Sequence, residues 1–232
     1  MIKISIVALG FILLLTKEIH AGEKSLYDFL WLDPDKKVYV LQNKEYKKEH
    51  SFYADIGYIS NFTSKFQETQ GYQLKSGYYF HEEWGVELFY NRYLNSNNDD
   101  YRNVQLVNSS VPFVRKLNSS YGALAVWSPF YGKINTFNQI YYFDWSFAAG
   151  LTKINAESNL KSVTNSHASN TYYKEKYNGA VLKTNLKFHL KENLHLGIDY
   201  MNTYYKAPGP SNPHNDKLRT NTDVIFSIGF SY

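Results

Sequence analysis

The sequence predicts an all-β fold: an eight-stranded antiparallel transmembrane β-barrel with an N-terminal periplasmic arm. Three observations support this fold class. Eight segments alternate apolar and polar residues with a period of two, aromatic residues make up 18% of the chain, and short connections between segments alternate with long ones. A period of two gives each strand one apolar face and one polar face. Segments of roughly ten such residues suit tilted strands that cross a membrane.

The composition excludes several other classes of protein. The 232 residues contain 25 Lys and Arg against 21 Asp and Glu, and this net charge of +4 is too small and too evenly spread to predict a nucleic-acid partner. The chain has no cysteine, which excludes disulfides, a thiolate nucleophile and Cys-based zinc sites. A mean hydropathy of -0.46 excludes a bundle of membrane helices.

The first 21 residues predict a signal peptide. They have a positive start, an apolar run over residues 4–15 and a small residue, Ala21, at the end. The run is too short to span a bilayer and is typical of the core of a secretory signal, with an uncleaved anchor as the alternative. Cleavage near Ala21 would leave residues 22–50 as the periplasmic arm and residues 51–232 as the barrel.

The predicted strands follow one another along the barrel region. In the first strand, Phe52, Ile56 and Tyr58 are apolar, while Asp55 and Gly57 between them belong to the other face. The same alternation defines all eight segments, which are residues 52–58, 72–80, 84–91, 121–127, 141–150, 182–190, 194–200 and 224–232.

Two further segments leave open a barrel of ten strands. Residues 38–41 are β-prone but only about half as long as a spanning strand, so we expect them to pair within the arm. Val104–Leu117 contains Pro112 and the adjacent pair Arg115 and Lys116, which suit an outer loop better than a lipid-facing strand. Eight strands is therefore the prediction.

Aromatic residues and loop lengths indicate that the apolar faces meet lipid. Aromatic rings cluster at predicted strand ends, as in the belts of membrane barrels, and we expect this belt to contain Tyr78, Phe80, Trp84, Trp127 and Tyr141. Tight turns at 81–83 and 191–193 alternate with long polar links at 95–120, 152–178 and 206–219. Outer-membrane barrels show this alternation in loop length, because their periplasmic turns are short and their outer loops are long. A soluble sandwich shows the same alternation within its strands and is the alternative fold.

The last strand resembles the C-terminal assembly signal of bacterial outer-membrane proteins. Its apolar residues alternate and end on an aromatic residue, and they are Val224, Phe226, Ile228, Phe230 and Tyr232. The resemblance implies recognition by the barrel-assembly machinery, with Tyr in place of the usual final Phe. Residues 40–46, 77–87 and 129–144 also resemble the uncharacterised outer-membrane β-barrel domain family of myxobacteria, predatory bdellovibrios and their relatives. That family implies the outer membrane of a Gram-negative cell and no assigned activity.

The alternation also predicts a charged interior. The titratable side chains that it sends to the lumen are Asp55, Lys75, Glu87, Asp144, Lys183, Lys187, His189, His195, Asp199 and Asp223. An eight-stranded barrel has a lumen only wide enough for its own side chains. Unpaired charges there are very costly, so we expect a self-paired plug. A narrow gated pore lined by the same charges is the alternative.

The sequence gives no catalytic, cofactor-binding or metal-binding site. It contains no H-E-x-x-H array, G-x-S-x-G elbow or Walker loop, and His81, Glu82 and Glu83 are expected to be exposed turn charges. A lipid A deacylase would need Ser beside His near a strand end, and neither His189 nor His195 has a Ser within two residues. We therefore expect a non-enzymatic, porin-like barrel without cofactors.

The expected role is structural or interaction-based. The expected partners are outer-membrane lipid, the assembly machinery and an envelope protein or surface ligand bound through loops 152–178 and 206–219. A small gated channel is the first alternative, and an enzyme that modifies lipid A is the second.

Overall fold

Eight antiparallel strands close into one barrel in the computed structural model. The structure describes residues 44–108, 110–136, 139–164, 170–210 and 212–232. The predicted signal peptide, residues 38–41 and most of the predicted arm lie outside this part of the chain. The strands are β1 (Phe52–Asn61), β2 (Gln67–Tyr79), β3 (Trp84–Asn97), β4 (Arg115–Thr136), β5 (Gln139–Ser158), β6 (Tyr173–His189), β7 (Leu194–Gly209) and β8 (Asn212–Ser231).

Each strand pairs with the next along the chain, and the last strand pairs with the first. The backbone N–H of Phe52 donates to the carbonyl of Tyr232, and the N–H of Tyr232 donates back to Phe52, at 2.7 and 2.8 Å. In the middle of this seam Tyr58 lies opposite Phe226. Closure leaves the sheet without a free edge, so the strands pair one another's backbone groups around the whole ring.

The prediction of eight strands is confirmed. The segment that raised the count of ten forms a ten-residue helix, α1 (Asp99–Asn108), and then a connection that leads into β4. A second, five-residue helix, α2 (Leu160–Thr164), lies between β5 and β6. Within the described residues, neither helix is long and apolar enough to cross a bilayer.

The strands extend further than the alternation predicted, and this corrects all three of the predicted long loops. Link 95–120 is shortened at both ends, because β3 runs to Asn97 and β4 begins at Arg115, so Arg115 and Lys116 belong to a strand and not to an outer loop. Residues 206–219 are not a long loop, because β7 runs to Gly209 and β8 begins at Asn212. Pro208 is accommodated by a shift in register between Ala207 and Gly209, as a residue without a backbone N–H requires. Loop 152–178 likewise shrinks to the stretch between Ser158 and Tyr173.

The two faces of the sheet have opposite chemistry. Apolar side chains point outward and stay exposed, with Ile56 and Phe226 each 55% accessible. Their sequence neighbours Asp55 and Ser227 point inward and are buried. A soluble sandwich would bury the apolar face and wet the polar one. The observed arrangement is the reverse, which rules out the soluble alternative.

The barrel has two unlike ends. At the end that we call the turn end, four residues join β2 to β3 and four join β6 to β7, and Tyr232 closes the seam there. At the opposite end, the loop end, α1 and α2 lie within the two longest connections. The β4–β5 hairpin also extends beyond its neighbours at the turn end, after a register shift between Trp127 and Phe130.

We predict that Phe226→Arg strongly lowers the fraction of protein that folds into lipid vesicles. Phe226 lies opposite Tyr58 and Ile198 in mid-strand, so the guanidinium would enter hydrocarbon at a cost of roughly 2–4 kcal/mol. The measurement is heat-modifiable migration in mild SDS after refolding. Phe226→Leu is the matched control and should fold as the wild type does. Equal insertion of the Arg variant would contradict the lipid-facing assignment.

Candidate functional site

The structure places all ten predicted lumen side chains inside the barrel. Each residue is less than a tenth exposed, and His195, Asp199 and Asp223 are fully buried. The ten do not form one network. They comprise a central layer, a group near the turn end that meets this layer at Asp55, and one isolated carboxylate near the loop end.

The central layer consists of two lysines held between three carboxylates. The ammonium of Lys75 lies 2.6 Å from Asp199 and 3.1 Å from Asp55. The ammonium of Lys183 contacts Glu87 and lies 3.8 Å from the other oxygen of Asp199. Asp199 thus joins the two lysines. These pairs link β1, β2, β3, β6 and β7 across the lumen, so the layer crosses the whole barrel.

Asp223 stands apart from the predicted network. No Lys, Arg or His side chain in the described ranges pairs with it, and it accepts hydrogen bonds from Asn61 at 2.6 Å, Tyr93 at 2.8 Å and Asn221 at 2.9 Å. Three neutral donors therefore replace the expected ion pair. The amides of Gln73 and Asn91, which hydrogen-bond each other at 2.9 Å, occupy the lumen between Asp223 and the central layer.

Near the turn end, Asp144 binds a lysine that sequence reasoning did not find. The ammonium of Lys48 lies 2.5 Å from Asp144 and donates to Ser128 at 2.9 Å. His189 approaches the second oxygen of Asp144 at 2.7 Å. Lys48 precedes β1 and is only 5% exposed, so it closes the lower lumen from outside the barrel wall. Nothing in its sequence neighbourhood distinguishes it from the exposed Lys47.

Glu82 holds this segment in place, which corrects the expectation that it is merely an exposed turn charge. Its carboxylate accepts hydrogen bonds from the backbone N–H groups of Lys48 and Glu49 at 3.0 and 3.1 Å, and from the ammonium of Lys44 at 3.2 Å. The turn between β2 and β3 is therefore an anchor for residues 44–49. Tyr46 stacks on His189 with ring centroids 4.3 Å apart, and partial burial, aided by the Glu45 carboxylate, raises the pKa of its phenol.

Lys187 has no carboxylate or hydrogen-bond partner among the described residues. Its ammonium lies over the ring of Tyr53, 3.9 Å from the centroid. Tyr53 in turn donates to Glu87 at 2.8 Å. The expectation that every lumen charge is paired directly is therefore met for the other lysines and not for this one. A cation over an aromatic face in a desolvated site is stabilised by the ring's quadrupole.

A carboxylate, an imidazole and a hydroxyl meet at the turn end. Nε2 of His195 lies 2.7 Å from Asp55, and Nδ1 lies 3.0 Å from the hydroxyl of Ser231. Ser231 is far from His195 in the sequence and reaches it across the β7–β8 ladder, so the spacing of Ser and His along the chain did not predict this contact. Gly229 lies between the partners, and a Cβ there would clash with both Asp55 and His195. The arrangement fixes the imidazole ring in one orientation.

The other predicted site residues lie on the outer surface. Four of the aromatic belt residues, Tyr78, Phe80, Trp84 and Trp127, gather near the turn end, where Trp84 and Trp127 stack at 6.0 Å. Tyr141 lies further along the β4–β5 extension, opposite Ile134. The residues of the assembly signal, Val224, Phe226, Ile228, Phe230 and Tyr232, face outward along β8 and its end. Their recognition by assembly machinery stays a prediction.

An apolar exterior, a polar interior and a closed ring of eight strands define a membrane-spanning β-barrel. A family model described as the outer membrane protein beta-barrel domain matches residues 40–232. The chain belongs to this family, and its place is the bacterial outer membrane. The narrower resemblance to the family of myxobacteria and bdellovibrios stays a prediction.

Solved structures share the fold at low sequence identity. The N-terminal β-barrel domain of OprF from Pseudomonas aeruginosa is 12% identical, with a TM-score of 0.50, over 79% of this chain and 98% of that one. The attachment invasion locus protein Ail of Yersinia pestis is 15% identical, with a TM-score of 0.48, over 79% of this chain and 99% of that one. A comparison with curated proteins finds no match.

We predict that Gly229→Ala destabilises the barrel by roughly 2–4 kcal/mol, because the added methyl group forces Asp55 away from His195 and disturbs a buried ion-paired cluster. Gly209→Ala is the matched control, since its methyl group would meet only the flexible end of Arg219. Urea unfolding in vesicles, followed by tryptophan fluorescence, measures both variants. Equal stability of the two would contradict the role given to Gly229.

Proposed function

We propose that this protein is a closed outer-membrane barrel whose role is structural or interaction-based. The observation that carries the proposal is the ion-paired layer of Lys75, Lys183, Asp199 and Glu87 across the lumen. In a lumen of this width, the paired side chains fill the cross-section. Moving one of them would leave a buried charge without its partner, which is costly. A scaffold with such an interior offers partners its surfaces.

The loop end supports an interaction role because its connections pack on one another. Asn159 accepts a hydrogen bond from the N–H of Val114 at 2.8 Å and donates to the carbonyl of Pro112 at 2.9 Å. Asn170 donates to the hydroxyl of Tyr101 on α1 at 3.1 Å. The described parts of the two connections, residues 98–108, 110–114, 159–164 and 170–172, thus form one surface. A binding surface that is already ordered loses less conformational entropy when a partner binds.

This surface also carries exposed groups that suit a protein or surface ligand. On α1, Leu106 and Val107 are 80% and 81% accessible. Beside α2, the ammonium of Lys161 lies 4.8 Å from the centroid of the Tyr173 ring. We therefore place the interaction site of an envelope protein or surface ligand on α1 and the α2 connection. The β7–β8 hairpin, which replaces predicted loop 206–219, forms its edge.

A gated channel is the second candidate, and Lys48 is the observation in its favour. Its side chain enters the lumen from a segment outside the barrel wall, so withdrawal of residues 44–49 would remove one closure. The central layer lies beyond Lys48 and consists only of strand residues. It stays in place when the segment moves, which favours the closed scaffold.

We do not assign catalysis to Asp55, His195 and Ser231, although acid, imidazole and hydroxyl occur in the order that hydrolases use. Asp55 is also bound by Lys75, and Ser231 faces the lumen side of β8. The adjoining pocket of about 230 Å³ lies between the barrel mouth and residues 45–48. A lipid carried on the outer wall does not meet this hydroxyl, so a role in lipid A modification has no support from this geometry.

We predict that the wild-type protein gives no ion steps in planar bilayers, and that Lys48→Ala gives none either, because the central layer still closes the lumen. Lys47→Ala changes an exposed neighbour and is the matched control. Heat-modifiable migration verifies that all three proteins are folded before reconstitution. Steps that appear only with Lys48→Ala would reject the closed scaffold in favour of the gated channel.

We predict that the loop end faces the cell exterior. The chain has no cysteine, so single cysteines report topology cleanly. Lys161→Cys on α2 should react with a membrane-impermeant maleimide on intact cells, and Glu83→Cys in the β2–β3 turn should react only after lysis. Both side chains are exposed in the structure, so access alone separates them. The opposite labelling pattern would invert the orientation.

A further inference from the structure

Two of the grooves on the lipid-facing wall have similar sizes. One, of about 670 Å³, lies over β1, β2, β3 and β8 and has Ala54, Ile56 and Leu74 in its lining. The other, of about 690 Å³, lies over β3, β4, β5 and β6 and has Ala123 and Leu151 in its lining. In both, a small side chain lies beside larger apolar ones on the outer surface. Each groove has the width and chemistry to take an acyl chain.

Of these two grooves, only the second ends at outward-facing lysines. Lys153 lines its loop end directly, opposite Asn178 in the β5–β6 ladder. Lys176 lies two residues before Asn178 on the same face of β6, so it is the diagonal neighbour of Lys153 at roughly 7–8 Å. Arg92 also faces outward, but it lies on β3 two residues beyond Tyr90 of the first groove and does not line the second. In the lining of the first groove the basic residue, Lys75, points into the lumen and is paired there.

These two lysines form no ion pair in the described part of the chain. Lys153 and Lys176 are both exposed, and no carboxylate of the described residues lies within ion-pair distance of them. Glu157 is a diagonal neighbour of Lys176, but it lies directly opposite both Lys116 and Lys174, which are its nearer cations. Like charges gathered above an apolar surface repel one another unless an anion from outside joins them.

We propose that this groove binds one acidic lipid of the leaflet that surrounds the loop end. Its phosphate headgroup contacts Lys153 and Lys176, and an acyl chain lies along Ala123 and Leu151. The occupant is a lipid and not a free phosphate, because the cations stand directly above the apolar groove and one ligand satisfies both. The inference depends on the barrel being embedded in a membrane and is independent of whether the lumen is closed.

Lipid binding to the intact refolded barrel tests this proposal. The probe is bis-phosphorylated lipid A, titrated into the protein in zwitterionic micelles and counted by native mass spectrometry. We expect one tightly bound lipid on the wild type. Lys153→Gln combined with Lys176→Gln should weaken binding by about tenfold or more, since a basic residue near a lipid surface contributes about 1 kcal/mol. Lys65→Gln, which removes one positive charge at the same end but in the β1–β2 connection, is the control for each single Gln variant and should leave affinity unchanged.

The apolar half of the site has its own matched pair of variants. Ala123→Phe fills the groove that ends at Lys153, and Ala54→Phe fills the groove without outward-facing lysines, with the same change of side chain in each. Only Ala123→Phe should weaken binding. Lipid A without its phosphates should bind the wild type as weakly as the double Gln variant does. Unchanged affinity in the double variant, equal loss with Lys65→Gln, or equal effects of the two Phe variants would overturn the proposal, and free inorganic phosphate that competes fully with the lipid would show an ion site instead.

Discussion

The pairing of β8 with β1 is the interaction on which the rest of the structure depends. A sheet in hydrocarbon has no water to satisfy an edge, so it is stable only when its first and last strands meet. Once the ring closes, the two faces of every strand have different surroundings, because one face points to lipid and the other to a narrow lumen. The residues that close the seam, Phe52 and Tyr232, lie at the two ends of the barrel region, so the fold is completed only when the whole chain is present.

Closure also decides what the lumen must contain. Its side chains are too crowded for bulk water, so each charge needs compensation from neighbouring side chains, most often from another strand. Asp199 of β7 meets this demand by joining Lys75 of β2 and Lys183 of β6, and Asp55 of β1 by joining Lys75 and His195. Two of these pairs, Lys75–Asp199 and Asp55–His195, span more than 100 residues of sequence. Small residues on the inward face give them room, as Gly229 does beside Asp55 and His195.

The two ends of the barrel carry different features. The turn end holds residues 44–49 through Glu82 and draws Lys48 into the lumen, so the segment before the barrel becomes part of its closure. The loop end carries both helices, and connections that are far apart in sequence pack together there. Along the outer wall, uncompensated lysines occur where β5 and β6 approach the loop end. Because the interior of the barrel is filled by its own side chains, the groups that can bind a partner are those on its exterior.

The sequence by itself determined the strand count, the antiparallel order and the inward or outward direction of the residues in the eight predicted segments, because these follow from local alternation and from turns of a few residues. All ten titratable side chains assigned to the lumen by parity are buried there. Only the tertiary structure decided which side chains contact one another. The alternation predicts that Asp144 and Asp223 point inward. It does not predict that Lys48 reaches Asp144 from outside the barrel wall, or that neutral donors satisfy Asp223. Ser231 beside His195, the hairpin in place of loop 206–219 and the lysines around Asn178 have the same origin. Each depends on the register and stagger between strands, which the closed ring sets and no local pattern records.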